Sequence, residues 1–240
     1  MRMKPIFLII LLACILPMLA LANALDQRSK FWTNFRVDGD ITKDTKWVYL
    51  FDVHIRFRDQ DPAFDQAIFR PSIGYHFDER WTAWFGYDFL PKQSTDDDLD
   101  LEQRFWQQLS YKPVITEKFK LTLQSRVEQR ENFEVNGVAW RWRQKILMLF
   151  PGLLGRSVTP LISDGLYFNM NRVPWITKNT IDQNRLTAGV LITCSHQFDL
   201  GVFYVNQYLV RDPNNIMNHV LYVSLQWDLG SERPVTEGFT

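Results

Sequence analysis

The chain has 240 residues, with 27 Lys and Arg against 27 Asp and Glu, so its formal net charge is zero and nothing in it favours a nucleic-acid partner. Aromatic residues make up 15% of the chain, including nine Trp, yet mean hydropathy is slightly negative at −0.22. Beyond the N-terminus no run of 18 apolar residues occurs, which excludes membrane-spanning helices there and leaves strands to carry the apolar surface.

Residues 1–24 read as a secretory signal peptide. Arg2 and Lys4 form a basic start, Ile6 to Leu21 an apolar run, and Ala22-Asn23-Ala24 an A-x-A cleavage site. A transmembrane anchor is the alternative, but the run is short for spanning. Leu11-Leu12-Ala13-Cys14 resembles a lipobox, although the chain stays apolar after Cys14. About 216 residues then remain, enough for one domain, with Cys194 as their sole cysteine and hence no intramolecular disulfide.

Arg28 to Val37 alternates weakly, with Phe31, Phe35 and Val37 against Lys30, Asn34 and Arg36. Asp38-Gly39-Asp40 is a turn signal. Lys46 to Arg58 is the clearest strand in the chain. Its odd positions, Trp47, Tyr49, Phe51, Val53, Ile55 and Phe57, are apolar, and its even positions include Asp52, His54 and Arg56. A period of two places these sets on opposite faces. The apolar face would run about 33 Å at roughly 3.3 Å per residue. Tilted by about 40°, that matches the roughly 25 Å apolar band of a transmembrane barrel.

The pattern repeats. Ala67 to Phe77 sets Phe69, Ile73 and Tyr75 against Arg70, Ser72 and Gly74, with Pro71 on the apolar face predicting a bulge or strand end. Trp81 to Phe89 follows a tight turn, and Pro91 to Asp100 reads as a long acidic loop. Strands are predicted over Leu101–Lys112, Phe119–Glu131 and Trp140–Phe150, less regularly over Pro160–Met170, and again over Gln183–Ser195, Leu200–Val210 and Leu221–Leu229. The facing of Leu200–Val210 is left open by its sequence. Short connections alternate with longer ones, as in outer-membrane barrels.

The expected fold is therefore all-β, an antiparallel up-and-down transmembrane β-barrel of about 10–12 strands, located in a bacterial, Gram-negative outer membrane. The expected organisation is a signal peptide (1–24), an N-terminal segment that is a short strand or plug (25–45), the barrel (46–229) and a C-terminal tail (230–240). The last strand ends at Leu229 rather than on an aromatic residue, a departure from the usual assembly signal.

Several short motifs carry a resemblance. They are Glu102-Gln103-Arg104-Phe105-Trp106-Gln107-Gln108, Arg126-Val127-Glu128-Gln129-Arg130, the Arg141–Arg143 pair, and Asp182-Gln183-Asn184-Arg185-Leu186 with Gly189. In these the chain resembles an uncharacterised group of bacterial outer-membrane barrels, domain of unknown function 2490. The resemblance implies an outer-membrane barrel and no established activity. It also implies an Asp-Glu pair before an aromatic residue on the eighth strand, where this chain has Asp164-Gly165.

Pairing strands from the centre of each connection brings these motifs together. Glu102 is expected near Arg130, Arg104 near Glu128, Glu128 near Arg141 and Arg143, and Asp88 near Arg104. Arg143 and Lys145 are expected near Gly165, which Arg185 flanks from the other side. Arg104, Arg126, Arg130, Arg141, Arg143, Lys145 and Arg185 then face only Asp88, Glu102 and Glu128. Such a cluster fills a narrow lumen as a polar core, or its excess positive charge binds a small anionic solute or lipid headgroup.

Enzyme signatures are sparse. G-x-S-x-G, P-loop and dinucleotide motifs are absent, and the four His have no metal spacing, so neither cofactor nor metal is expected. Ser195 and His196 are adjacent and would point to opposite faces. Asp52, His54 and Ser72 share the lumen face within one diagonal step, but a lipid hydrolase needs its nucleophile at the outer wall or rim. The leading expectation is a barrel contacting outer-membrane lipids, with an Arg/Glu-lined lumen that is structural or binds or passes a small anionic solute. The alternative is an outer-membrane lipid- or lipopolysaccharide-modifying enzyme.

Overall fold

The computed structural model describes residues 25–42, 45–58, 63–94 and 98–230. The expected signal peptide with Cys14, all but the first residue of the expected tail, and parts of two long loops lie outside the described residues.

Among the described residues, eleven strands form one closed barrel. They are β1 (Leu25–Asp40), β2 (Trp47–Phe57), β3 (Phe64–His76), β4 (Trp81–Gln93), β5 (Leu99–Ile115), β6 (Lys120–Asn132), β7 (Ala139–Leu149), β8 (Val158–Asn169), β9 (Ile181–Thr193), β10 (Phe198–Leu209) and β11 (Asn215–Asp228). Each pairs antiparallel with its chain neighbours. β1 closes on β11 in parallel, from Leu25 opposite Asn215 to Asp38 opposite Asp228. An odd count forces this, because the first and last strands of an alternating set of eleven run the same way. The N-terminal segment is thus a full barrel strand rather than a plug, and one seam departs from the expected antiparallel order.

The same geometry separates the ends. Connections 41–46, 77–80, 116–119, 150–157 and 194–197 gather at one end, here the turn end. Connections 58–63, 94–98, 133–138, 170–180 and 210–214 gather at the other, the loop end. β1 starts at the loop end, and β11 finishes at the turn end.

Several boundaries differ from the sequence pattern. β1 continues through the expected turn at Asp38-Gly39-Asp40, since Asp38, Gly39 and Asp40 pair with Leu50, Tyr49 and Val48. β4 runs to Gln93 and β5 begins at Leu99, so much of the expected acidic loop is paired strand. Pro71 causes no strand end. The β3–β4 pairs instead skip from Phe69–Phe89 to Ser72–Gly86, and from Gln66–Lys92 to Phe69–Phe89. Pro71 and Pro91, neither with an N–H to donate, fall in those gaps.

Facing follows the period of two. Trp47, Phe51 and Ile55 point outward at 46, 42 and 38% exposure, while Asp52, His54 and Arg56 are buried inside. Aromatic pairs ring both ends of the outer wall. Trp47 meets Tyr75 edge-on with ring centroids 4.9 Å apart, Trp81 stacks on Tyr111 at 4.2 Å, and Phe198 on Trp227 at 5.6 Å, all at the turn end. Toward the loop end Phe69 approaches Phe89 at 6.5 Å, Tyr87 approaches Phe105 at 5.1 Å, and Trp142 stacks on Phe168 at 5.3 Å. Exposed Phe51, Ile73, Phe85, Leu109 and Leu225 lie between the two rings.

Buried apolar side chains gather in the turn half of the lumen. Leu147, Leu149, Leu161, Leu191, Phe203 and Tyr222 pack together on one side, and Val48, Leu50, Trp84 and Trp106 on the other. Glycines make room for the larger rings. A Cβ at Gly86 would overlap the Trp106 indole, and one at Gly74 would lie 2.7 Å from the Trp84 ring. β10, whose sequence left its facing open, turns Phe203, Val205 and Gln207 inward and Val202 and Tyr204 outward.

Candidate functional site

Above that floor the lumen is ionic. All ten charged residues of the predicted cluster sit on the inner wall, spread over β4 to β9; nine form an upper and a lower tier, and Asp88 belongs to a third group.

The upper tier contains Glu102, Arg104, Glu128, Arg130, Arg141 and Arg185. Glu102 Oε1 accepts from Arg104 Nε and from Arg130 Nε, each at 2.6 Å, and its Oε2 accepts from Arg130 Nη2 at 3.1 Å. Arg141 Nε donates to Glu128 Oε2 at 2.8 Å. Arg141 Nη1 also donates to Asp182 Oδ2 at 3.1 Å, and Arg211 Nη1 reaches Asp182 Oδ1 at 3.1 Å. Arg185 Nε donates to Gln183 Oε1 at 3.1 Å, and its guanidinium lies 5.3 Å from the Trp32 ring and 5.0 Å from the Tyr167 ring. The expected Glu102–Arg130 and Glu128–Arg141 neighbours therefore meet. Arg104 pairs with Glu102 instead of Glu128, because in the β5–β6 register Arg104 stands opposite Arg130 and Glu128 opposite Trp106.

Asp182 was missed by the pattern, and a β-bulge explains why. Tyr167 is opposite Gln183 and Phe168 opposite Ile181, so Asp182 is the extra residue in β9. The bulge turns two successive side chains, Asp182 and Gln183, into the lumen at 5 and 4% exposure. Strict alternation would have sent one of them outward.

The lower tier contains Arg126, Arg143 and Lys145. Arg126 stands opposite Arg143 in register. Gln108 Oε1 accepts from Arg126 Nε at 2.9 Å and from Arg143 Nη2 at 3.1 Å, and the Arg126 guanidinium lies 3.7 Å above the Trp106 ring. Lys145 stands opposite Gly165, and Gly165 opposite Arg185, as expected.

A third group completes the wall. Arg70 grips Asp88 through Nε at 2.8 Å and Nη2 at 3.0 Å, and reaches Asp52 at 3.3 Å. Trp106 Nε1 also donates to Asp88, at 2.7 Å. Asp88 is in register with Arg104 as expected, but its carboxylate is taken by Arg70 and Trp106. Arg70, Asp52 and His54 share the inward parity of the cluster, and Asp52 stands opposite Arg70 across the β2–β3 hairpin, which is the signal that could have found them. His54 Nε2 is 2.8 Å from Asp52 Oδ2, with Asn34 also on Asp52. Ser72 Oγ donates to Leu50 O at 3.2 Å, so it makes no triad with that pair. Ser195 Oγ accepts from the backbone N–H of Gln197 and Phe198, closing the β9–β10 turn.

A cavity of about 970 Å³ opens over the upper tier at the loop end. Its described lining holds eleven cationic side chains, among them Arg28, Arg56, Arg104, Arg130, Arg185 and Arg211, against five carboxylates, Asp65, Asp100, Glu102, Asp182 and Asp212. Trp32 and Trp175 also line it, with Arg130 lying 5.1 Å from the Trp175 ring. A surface of this kind attracts anions over distance and can hold them through guanidinium forks. Among the described residues, no group of three or more His, Cys, Asp or Glu could hold a metal ion.

A family model described as "Protein of unknown function (DUF2490)" matches residues 29–218. An uncharacterized protein of Methylorubrum extorquens is 22% identical over 203 residues, covering 83% of this chain and 87% of the relative. Among solved structures, the NanC porin aligns with a TM-score of 0.48 at 10% identity, over 78% of this chain and 93% of its own. LpxR from Salmonella typhimurium aligns with a TM-score of 0.45 at 10% identity, over 76% and 83%.

Proposed function

The chain belongs to the DUF2490 family of proteins of unknown function, and from that premise we propose that it is an outer-membrane barrel whose lumen is a blind, basic cup for a small anionic solute. The carrying observation is the excess of cationic side chains, eleven to five among the described residues, around a cavity that opens at the loop end. The packed aromatic and aliphatic floor beneath it favours binding over passage.

Membrane embedding is supported by the outer wall. From Trp81 to Phe89 an outward stripe on β4 covers eight steps, roughly 26 Å along the strand and about 20 Å once tilted. Aromatic pairs bracket an apolar middle, the arrangement that suits headgroup level at both ends and acyl chains between. In this reading the wall's partners are outer-membrane lipids, and the cup faces outward with the longer loops.

The test uses purified protein in planar bilayers and in detergent. Bilayers are expected to show no steady openings. Titration with inorganic pyrophosphate is expected to change Trp fluorescence saturably, since Trp32 and Trp175 line the cup, and the apparent affinity should fall as salt rises. Cation-selective openings, or no saturable response to pyrophosphate at low salt, would sink the proposal.

A further inference from the structure

We propose that the lower tier holds a small inorganic anion, enclosed between Arg126, Arg143 and Lys145, as a resident counterion of the fold. This goes beyond the cup, because none of the three cations lines that cavity.

The argument begins with adjacency. Arg126 and Arg143 are opposite each other on β6 and β7, and Lys145 follows two positions later on the same face. All three are buried, at 5, 3 and 4% exposure. Among the described residues, no carboxylate lies within 4.0 Å of any of them. The nearby carboxylates are engaged elsewhere: Glu128 takes Arg141, and Asp88 takes Arg70 and Trp106.

Their hydrogen bonding is also incomplete. Arg126 Nη1, Arg143 Nε and Lys145 Nζ are enclosed and have no hydrogen-bond partner. The three unfilled donors belong to cations that are neighbours on β6 and β7. Guanidinium groups keep their charge at any accessible pH, so Arg126 and Arg143 cannot escape the cost by losing a proton. Water could fill the donors but would leave the charge. An anion answers both deficits, since it accepts several N–H groups while cancelling charge in a poorly solvated space.

The wall opposite Lys145 supplies the place. Gly165 stands between Lys145 and Arg185 and contributes no side chain. A Cβ there would meet Tyr167 at 3.5 Å, Arg185 O at 3.9 Å and Lys145 Cγ at 4.0 Å, ordinary contacts without overlap. A Cβ is therefore accommodated at this point, beside Lys145. A glutamate at 165 would bring a fixed carboxylate to the position proposed for the ion.

Thermal unfolding of the full mature chain in detergent, at one ionic strength, tests this in sodium gluconate, chloride and phosphate. Gluconate is too large for an enclosed space of this kind. The wild-type midpoint is expected to be several degrees higher in chloride or phosphate than in gluconate. Gly165→Glu should raise the midpoint in gluconate and abolish the difference between salts. Lys145→Met should weaken the difference, whereas Arg130→Gln in the upper tier should leave it intact while weakening pyrophosphate binding. As a measurement free of variants, wild-type protein loaded with bromide and exchanged into gluconate should retain a stoichiometric bromide by elemental analysis. Equal midpoints in all three salts, full anion dependence in folded Gly165→Glu, or loss of all bromide on exchange would each overturn the proposal.

Discussion

Arg70 holds Asp88 fork to fork, Nε to Oδ1 at 2.8 Å and Nη2 to Oδ2 at 3.0 Å, beside the point where Pro71 removes a backbone donor from the β3–β4 ladder. The side-chain pair thus ties two strands together where their backbones are thinly paired. Asp88 is fully buried, so removing Arg70 leaves a buried carboxylate with only the Trp106 N–H, and removing Asp88 leaves Arg70 with only the longer contact to Asp52. Arg70→Met or Asp88→Leu alone is expected to cost about 3–5 kcal/mol, and the double variant to recover most of it. Urea unfolding of the barrel in lipid vesicles would measure the cycle.

Trp106 depends on the absence of a side chain next door. Its indole crosses the space a Cβ at Gly86 would fill, carries the Arg126 guanidinium on its face and donates to Asp88. Gly86→Ala is expected to destabilise by about 1–3 kcal/mol through overpacking. Pairing it with Trp106→Leu should remove the clash and leave only the loss of the ring's contacts. Comparing unfolding midpoints of both with Trp106→Leu alone checks the coupling.

Asp182 is one of five carboxylates around the cup among the described residues and is bonded by both Arg141 and Arg211. Asp182→Asn keeps the side-chain shape and removes the charge. Pyrophosphate should then bind tighter, by about 1 kcal/mol or roughly fivefold at low salt. Arg130→Gln should shift affinity by a similar factor in the opposite direction. Fluorescence titration at two salt concentrations would test both signs, and both shifts should shrink as salt rises.

A pH effect is expected at the turn between β3 and β4. Asp78 Oδ1 accepts the backbone N–H of Arg80 at 2.7 Å and of Trp81 at 2.8 Å, and these donors hold its carboxyl below the ordinary carboxylate range. Because the folded value is depressed, the contribution is complete above the unfolded value, about 4, and is lost as pH falls through the folded value. Asp78→Ala should therefore be less stable than the parent at pH 7, with the gap closing below about pH 4. The protection of the Arg80 and Trp81 amides relative to their intrinsic exchange rates should fall over the same range in the parent.

Much of this protein is written in its alternation. The outward stripe of Trp47, Phe51 and Ile55 and the inward row of Asp52, His54 and Arg56 follow from a two-residue period. The period also put all ten predicted cluster residues on the inner wall, and hairpin connections brought Glu102 to Arg130, Glu128 to Arg141 and Lys145 to Gly165. These relations are local, since neighbouring strands are joined by short links that leave the register little freedom.

What local pattern could not supply was decided by closure and by irregularity. Whether β1 is a plug or a wall depends on its pairing with β11, nearly two hundred residues away, which no periodicity near Arg28 reports. Asp88 stands opposite Arg104 across one hairpin and beside Arg70 across the other, and which of the two takes its carboxylate is decided by side-chain packing that periodicity does not report. Asp182 enters the cup because a single extra residue in β9 breaks the alternation from which facing is read. The sequence by itself settled which side of the wall most residues occupy, because side-chain direction is a property of each strand. The tertiary structure settled how many strands there are, which charges meet and where cations lie without a counter-charge, because those follow from register and curvature summed around the whole barrel.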